Sequence, residues 1–368
     1  MDTCPYTSLP DEAWWKRSMT DPPPHAVTPL GMSDFQIEPG EWIATAGSCF
    51  AQHMGRRLPG LGMNYLVTEP GPTRLSAGER NKRQYGIFSA RFGNIYTTTQ
   101  LRQLFLRAYG DFTPEDDVWR SPEGRFFDLF RPSVEPGGFA TLDELTWDRD
   151  RHFTAVRKLV AQANIFVFTM GLTEGWRHKG DGAVYPSCPG CGPGDYDADK
   201  YEFVNIGVSQ TLDDLDAIFG LLNKNGNAIR LILTVSPVPL IATMSGHHVL
   251  AATTYSKSVL RVAAQDFAAG QGNCSYFPSY EIITGPHARG SYFQHDLRTV
   301  SLHGVDHVMR CFTETFLRSS QFATPPAAHR ERPEQPETET VADKSDGIDI
   351  ICDEETLAER YGQTRDAS

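Results

Sequence analysis

The chain has 368 residues, 40% of them hydrophobic, and is long enough to bury a sizeable core. With 34 Lys and Arg against 46 Asp and Glu, the formal net charge is -12, which argues against non-specific attraction to nucleic acid or to an anionic membrane surface. The first residues show no export signal, and no run of about 18 apolar residues occurs, so we expect no membrane insertion. The seven cysteines are scattered along the chain, which is typical of reduced thiols, and we therefore expect a cytoplasmic protein.

Composition divides the chain into three parts. Residues 1–40 are rich in proline and polar residues, and we expect them to form an arm that wraps over the domain and buries aromatics such as Trp14 and Trp15. Residues 41–318 hold the apolar runs of the predicted α/β domain. Residues 319–368 have the proline-rich and acidic composition of a disordered tail. Its last segment, GIDIICDEETLAERYG, is either a frayed end or a docking segment for a protein partner.

Three continuous apolar runs predict strands that are covered on both faces. They are EWIATA at 41–46, IFVFTMG at 165–171 and RLILTVSP at 230–237. Helical patterns at 153–163 and 211–224 precede the second and third runs. This alternation predicts a doubly wound parallel sheet flanked by helices in three layers.

The residues that follow the first run are the first candidates for chemistry, because ligand sites in open parallel sheets lie beyond the carboxyl ends of the strands. Gly47 permits a tight turn, and Ser48 then opens a helical segment whose N-terminus offers positive potential to an oxyanion. Ser48 is therefore predicted either as an acyl-transfer nucleophile or as a helix cap.

Two further segments place glycine beside polar side chains. An oxyanion hole needs convergent hydrogen-bond donors, and both segments supply them. The predicted oxyanion and substrate-binding residues are Gly93 and Asn94 in FGNIYT, and Gly171, Thr173 and Glu174 in TMGLTEGW.

Several motifs in order resemble one known family. They are GSCFAQH, FGNIYT, TMGLTEGW, SPVPL, TTYSKSVLR and YFPSYEI, spread over about residues 40–315. This set resembles the GSCFA-domain proteins, which are placed with the SGNH (GDSL) hydrolases of flavodoxin-like fold. The resemblance implies that Ser48 is the nucleophile, that Gly93 is the second-block glycine, and that Thr173 stands where the superfamily has an oxyanion asparagine.

The general base is the point at which the sequence departs from that superfamily. The SGNH pattern has an Asp and a His separated by two residues before the last helix, and here Asp296 is followed by Thr299 at the histidine position. A base must then come from elsewhere, and His307 and His248 are the candidates, with Asp296 or Glu174 orienting the ring. Either histidine is otherwise a packing or surface residue.

Cations and thiols complete the set of candidate groups. Lys257 and Arg261 are one helical turn apart and predict either a site for a carboxylate or phosphate group or a solvated helix face. Cys188 and Cys191 form a CxxC pair without two further ligands at zinc spacing, so no metal site is predicted. The chain also lacks dinucleotide and P-loop motifs.

Together these features predict a serine esterase or O-acyltransferase that acts through a Ser48 acyl-enzyme on a small-molecule or glycan ester. Similarity to the family points to surface polysaccharide or its precursor as the substrate class. Hydrolysis would need no cofactor, and transfer would use an acyl donor such as acetyl-CoA. The alternative is a catalytically degenerate binding or regulatory protein on an SGNH-like scaffold, which Thr299 favours. The acyl group, the acceptor and the oligomeric state stay open.

Overall fold

The computed structural model describes residues 4–29, 33, 35–192 and 194–317. In chain order the strands are β1 (Trp42–Gly47), β2 (Asn64–Tyr65), β3 (Val118–Arg120), β4 (Phe126–Asp128), β5 (Ile165–Met170), β6 (Glu174–His178), β7 (Val184–Tyr185), β8 (Tyr201–Asn205), β9 (Arg230–Val235) and β10 (Cys274–Phe277). The α-helices are α1 (Cys49–Arg57), α2 (Ala77–Lys82), α3 (Thr98–Tyr109), α4 (Leu142–Gln162), α5 (Val208–Leu222), α6 (Val249–Gly270), α7 (Ser279–Thr284) and α8 (Leu302–Phe316).

The centre of the fold is a parallel sheet with the strand order β2-β1-β5-β9-β10. The chain leaves β1 toward one edge to form β2, and then returns past β1 to form β5 and continue toward the other edge. This is the flavodoxin-like order, and its reversal point lies between β1 and β5. The predicted α/β class and the three predicted strands are confirmed.

Helices cover both faces of the sheet, because alternate side chains of each strand point to opposite sides. Phe166 and Phe168 of β5 pack in the core cluster that includes α3, α4, α5 and α6. Ile165 and Val167 of the same strand pack in the cluster that includes α1, α7 and α8. All six residues of β5 are buried, which explains why this run is apolar throughout rather than alternating.

One predicted helix is longer than its apolar pattern. The helical pattern begins at residue 153, whereas α4 begins at Leu142, where the Thr141 hydroxyl accepts a hydrogen bond from the Glu144 N–H at 3.1 Å. The first turns of α4 carry charged residues that bind the neighbouring loops, so apolar periodicity does not reveal them.

The N-terminal arm lies against α8. The Val27 carbonyl accepts from the His307 ring at 2.9 Å, and the Ile37 N–H donates to the Phe316 carbonyl at 2.8 Å. Val27 and Ile37 are buried, but Trp14 and Trp15 are 37% and 68% exposed, so the expectation that these two aromatics are buried is wrong. The predicted tail, 319–368, lies outside the described residues.

Two small sheets are added to the central one. Strands β3 and β4 form an antiparallel pair. Strands β7, β6 and β8 form a three-stranded sheet that begins at Glu174, the last residue of the predicted site segment 171–174. Within the part of the chain that the structure describes, no helix has both the length and the apolar character needed to cross a membrane.

Candidate active site

The turn after β1 brings Ser48 to the reversal point of the sheet. Gly47 has φ +144°, and a Cβ at this position would lie 2.3 Å from the Thr169 carbonyl oxygen. The Ser48 N–H donates to the same oxygen at 3.2 Å. A side chain at position 47 would collide with the backbone of β5, so β1 and β5 can pass this closely only because residue 47 is a glycine. Gly47 therefore fixes the place at which the Ser48 side chain emerges.

The Ser48 hydroxyl is buried and unpaired. Ser48 occupies the N-cap position of α1, but its side chain makes no capping hydrogen bond. The residue is 3% exposed, and its Oγ has no hydrogen-bond partner among the described residues. A buried hydroxyl without a partner costs free energy, and in a native structure it needs an explanation, which a simple helix cap does not give.

The structure brings the three predicted segments together around this serine. A Cβ on Gly171 would lie 3.1 Å from the Ser48 Cβ and 3.1 Å from the Tyr96 carbonyl oxygen. That carbonyl accepts from the Gly171 and Leu172 N–H groups at 2.9 and 3.1 Å. The Ile95 N–H donates to the Gly47 carbonyl at 2.9 Å. The ends of β1 and β5 are thus joined to the FGNIYT segment by backbone hydrogen bonds.

The predicted oxyanion residues differ in what their side chains do. Asn94 is buried, and its carbonyl oxygen accepts from the Gln52 amide of α1 at 3.3 Å. The Thr173 hydroxyl donates to Asn205 Oδ1 at 2.7 Å and is therefore used to join β6 to β8. Gly93 adopts φ +72°, a backbone conformation that favours glycine.

Lys257 reaches the same site from α6. Its side chain is buried, and Nζ donates to the Gly171 carbonyl at 2.5 Å. The solvated-face interpretation therefore does not hold for Lys257. Arg261, one turn further, pairs with Glu281 at 2.5 Å and lies 4.0 Å from the centre of the Tyr276 ring, so the two cations do not act as one anion site.

Neither predicted base contacts the Ser48 hydroxyl. His248 is exposed and caps α6, where its Nδ1 accepts from the Leu250 N–H at 3.1 Å. His307 is buried, with Nδ1 at 2.6 Å from the Tyr292 hydroxyl and Nε2 bonded to the arm. Burial, with the neighbouring Arg310, lowers the pKa of His307 to about 4. Both rings are therefore engaged elsewhere, which corrects the expectation that one of them serves Ser48.

The two carboxylates proposed to orient a histidine also have other partners. Asp296 is exposed and accepts from the Thr299 N–H at 2.9 Å and from its hydroxyl at 2.5 Å. Thr299 thus keeps a contact with the aspartate but supplies no imidazole. Glu174 is buried at the start of β6 and accepts from the Thr243 hydroxyl at 2.6 Å.

Most of the chain matches one protein family. The family model described as "GSCFA family" matches residues 42–312. The chain belongs to the GSCFA family. No curated protein matches it.

Two solved structures resemble the chain weakly. One is a provisionally named platelet activating factor from Streptococcus pneumonia, with 12% identity, 76% of this chain and 84% of that chain covered, and a TM-score of 0.34. The other is a provisionally named GDSL-like lipase from Parabacteroides merdae, with 11% identity, 78% and 97% coverage, and a TM-score of 0.28. At these TM-scores neither likeness supports an argument about this GSCFA protein.

Several residues of the GSCFA site were missed by sequence reasoning. Gln52 is fully buried and holds Asn94, and the Ser256 hydroxyl accepts from the Thr173 N–H at 2.9 Å. Both lie inside the family motifs GSCFAQH and TTYSKSVLR, so position within a motif was the available signal. The described residues contain no group of three or more His, Cys, Asp or Glu side chains suited to a metal ion.

Proposed function

We propose that this GSCFA protein is a serine-dependent enzyme that hydrolyses or transfers an O-linked acyl group. The observation that carries the proposal is the buried, unpaired Ser48 hydroxyl at the start of α1, at the reversal point of the sheet. That place lies at the carboxyl ends of the strands, where open parallel sheets bind their ligands, and at a helix N-terminus, which has positive potential. Its chemistry suits a nucleophile that attacks an ester carbonyl.

The reaction has two halves. In the first, Ser48 Oγ bonds to the ester carbonyl carbon, its proton passes to a base, and collapse of the tetrahedral oxyanion expels the alcohol, which takes up that proton. In the second, water or an acceptor hydroxyl attacks the acyl-enzyme and releases Ser48 with its proton restored. Water gives an esterase, and an acceptor hydroxyl gives an O-acyltransferase.

Lys257 is the base that we propose in place of a histidine. It is a buried titratable side chain bonded to Gly171, which borders Ser48, and serine–lysine pairs perform acyl transfer on other folds. A neutral amine accepts the Ser48 proton, whereas an arginine at this position remains charged and cannot. Asn94 is the proposed oxyanion donor, because its carbonyl is held by Gln52 within the same site.

The substrate class that we propose is an O-acyl ester of a glycan or glycan precursor, and its support is the resemblance of the motifs. A transferase would take its acyl group from a donor such as acetyl-CoA, and a hydrolase would need no cofactor. The cytoplasm is the compartment proposed from the sequence.

Intact-mass analysis after treatment with a fluorophosphonate tests the role of Ser48. We expect one adduct on the wild type and none on Ser48→Ala, with ester hydrolysis reduced by at least ~100-fold. Ser301→Ala is the matched control, because Ser301 is also an N-cap residue but its hydroxyl does cap α8. An adduct that persists in Ser48→Ala would contradict the proposed nucleophile.

Two substitutions of Lys257 separate a base from a fixed positive charge. If Lys257 is the base, Lys257→Arg and Lys257→Met both lose activity. If Lys257→Arg keeps most of the activity while Lys257→Met does not, its role is electrostatic, and the proposed base is wrong. Circular dichroism of each variant establishes whether the fold is retained.

A binding or regulatory protein is the second candidate, and a specific observation favours it. No described histidine bonds to Ser48, and Thr299 occupies the position of the superfamily histidine. This candidate predicts no fluorophosphonate adduct and no ester turnover. It predicts instead that an acetylated saccharide raises the thermal stability of the protein, and that this rise is smaller in Ser48→Ala.

A further inference from the structure

A small cavity lies beside the candidate active site, among α3, α4, the FGNIYT segment and the loop after β4. Its volume is about 20 Å³. Polar groups on its wall come from Asn94, Gln100, Arg107, Arg131 and His152, and apolar surface comes from Phe92 and Phe130, among others. We call it the Arg107 cavity. Since a cavity of roughly 10–15 Å³ holds one water, this one admits a single small group and excludes a sugar ring or a nucleotide.

Arg107 is a buried cation without a polar partner. The residue is 7% exposed, and its guanidinium lies 3.7 Å from the centre of the Phe130 ring and 5.1 Å from that of Phe153. Its guanidinium makes no hydrogen bond or ion pair within the described ranges of the chain. Burial lowers its pKa to about 10, which still leaves it charged at neutral pH.

The Asp128 carboxylate, whose charge raises the pKa of Arg107 against the effect of burial, forms no ion pair with it. Asp128 Oδ2 accepts from Arg131 Nη2 at 3.1 Å and from Arg149 Nε at 3.3 Å. Its Oδ1 accepts the Phe130 N–H at 3.0 Å. Both oxygens are thus occupied, and Arg131 also donates to Asp148 at 3.0 Å. Arg131 and Arg149 are thus paired with carboxylates, whereas Arg107 is not.

Two other groups on the cavity wall have hydrogen-bonding capacity to spare. Gln100 Oε1 accepts from the Tyr96 and Thr97 N–H groups, while its Nε2 bonds to none of the residues described. His152 Nδ1 lies 2.8 Å from Glu69 Oε2, and its buried Nε2 has no partner among those residues. His152 Nδ1 donates to the Glu69 carboxylate, so in the neutral ring Nε2 is a hydrogen-bond acceptor. The donors that the wall offers to whatever fills the space are therefore the Arg107 guanidinium and the Gln100 amide.

We propose that the Arg107 cavity binds one small anionic group, either a free monatomic anion or the carboxylate end of a ligand. A buried charge is tolerated when it is paired and hydrogen-bonded, and an anion would supply the partner that the protein does not. The guanidinium and the Gln100 amide would donate to it. The cavity adjoins the candidate active site, because Asn94, the proposed oxyanion donor, also lines it. Anion binding by Arg107 nevertheless needs neither Ser48 nor Lys257, so the salt experiments below can fail without affecting the proposed Ser48 chemistry.

Thermal unfolding in different sodium salts at equal ionic strength tests this proposal. With gluconate as the bulky reference anion, we expect bromide to raise the Tm of the wild type by roughly 2–4 °C at about ten times its Kd. Arg107→Met should show no such rise, and in gluconate it should be at least as stable as the wild type, because the unpaired charge is gone. Arg151→Gln is the control, since Arg151 lies at the surface over Trp147 and its loss should leave the bromide response intact.

A formate series distinguishes the two sources of the anion. A response to bromide and formate alike indicates that a carboxylate enters the cavity, and a response to bromide alone indicates a free monatomic anion. Equal salt responses of wild type and Arg107→Met would overturn the proposal.

Crystals soaked in sodium bromide locate the anion directly. We expect an anomalous difference peak within hydrogen-bonding distance of the Arg107 guanidinium in the wild type and none there in Arg107→Met crystals. An empty cavity in wild-type crystals whose surface sites hold bromide would overturn the proposal, as would a peak that persists in the variant.

Discussion

Ser48 and Arg107 are two buried residues whose polar groups lack hydrogen-bond partners within the described part of the chain. The Ser48 hydroxyl has no hydrogen-bond partner among the described residues, and the Arg107 guanidinium faces a small cavity and forms no ion pair with those residues. Such groups cost free energy in the folded state unless something outside the chain satisfies them. For Ser48 we propose an ester carbonyl, and for Arg107 a small anion.

Gly47 provides a test of the turn that presents Ser48. Gly47→Ala should lower the free energy of unfolding by about 2–5 kcal/mol, because φ is positive and the new Cβ would meet the Thr169 carbonyl at 2.3 Å. Urea denaturation measures the change. In the control, Gly220→Ala on the exposed side of α5, nothing lies within 4 Å of the new Cβ, and we expect a gain of about 0.5–1 kcal/mol. Equal effects of the two substitutions would contradict this account of the turn.

Helix α8 uses His307 for packing, although the sequence also allowed this residue to be a catalytic base. His307 bonds to Tyr292 and to the arm through its two ring nitrogens, and its neighbours Val308 and Phe312 are buried against the sheet. The neutral ring satisfies both contacts. The element therefore joins the N-terminal arm to the α/β core through a histidine that must stay uncharged.

This contact predicts a pH dependence of stability. The folded pKa of His307 is about 4, below its usual 6.5, so the unfolded chain binds more protons between these values. The stabilisation is complete above pH 6.5 and is lost as the pH falls toward 4. Between pH 8 and pH 5 it should amount to about 2 kcal/mol.

Chemical denaturation at both pH values measures this contribution. The stability difference between wild type and His307→Gln should narrow as the pH falls. His303→Gln, one turn away and exposed, should keep the wild-type slope. Parallel curves for wild type and His307→Gln would show that His307 does not carry the effect.

At the scale of the whole molecule, a buried ion network joins segments that are far apart in sequence. Arg131 and Arg149 both bind Asp128 at the end of β4, and Arg131 also binds Asp148 of α4. Arg91, from the FGNIYT side, donates to Asp148 at 2.6 Å. The small β3–β4 sheet is thus fixed to α4 and to the segment that leads into the candidate site.

Asp128→Asn tests how much this ion network contributes to the free energy of unfolding. Removing one charge leaves buried guanidinium groups without a counter-ion, so we expect the free energy of unfolding to fall by about 3–5 kcal/mol. Asp111→Asn is the control, since its pair with Lys224 spans 3.6 Å at the surface and should contribute less than about 1 kcal/mol. Denaturant titration of both variants gives the comparison, and a loss below 1 kcal/mol for Asp128→Asn would contradict the assigned role.

The sequence by itself determined that the chain forms a parallel sheet and that the polar segments after its strands lie at one edge of that sheet. Runs such as 165–171 are apolar because both faces of β5 are covered, and parallel strands bring their carboxyl ends to one edge, so Ser48 and Gly171 were expected at the same edge. They are neighbours because β1 pairs with β5, which the structure shows. The apolar runs and the shared edge are consequences of local pattern and strand direction, which a single sequence records.

Only the tertiary structure decided which side chains meet. His248, His307 and Lys257 each fitted a site by residue type, but the histidines turn to α6 and to the arm, while Lys257 turns inward to Gly171. The unpaired state of Arg107 likewise depends on Asp128 already being filled by other arginines. Hydrogen-bond partners between distant segments depend on rotamer choice and on competition for the same few atoms, which residue spacing along the chain does not encode.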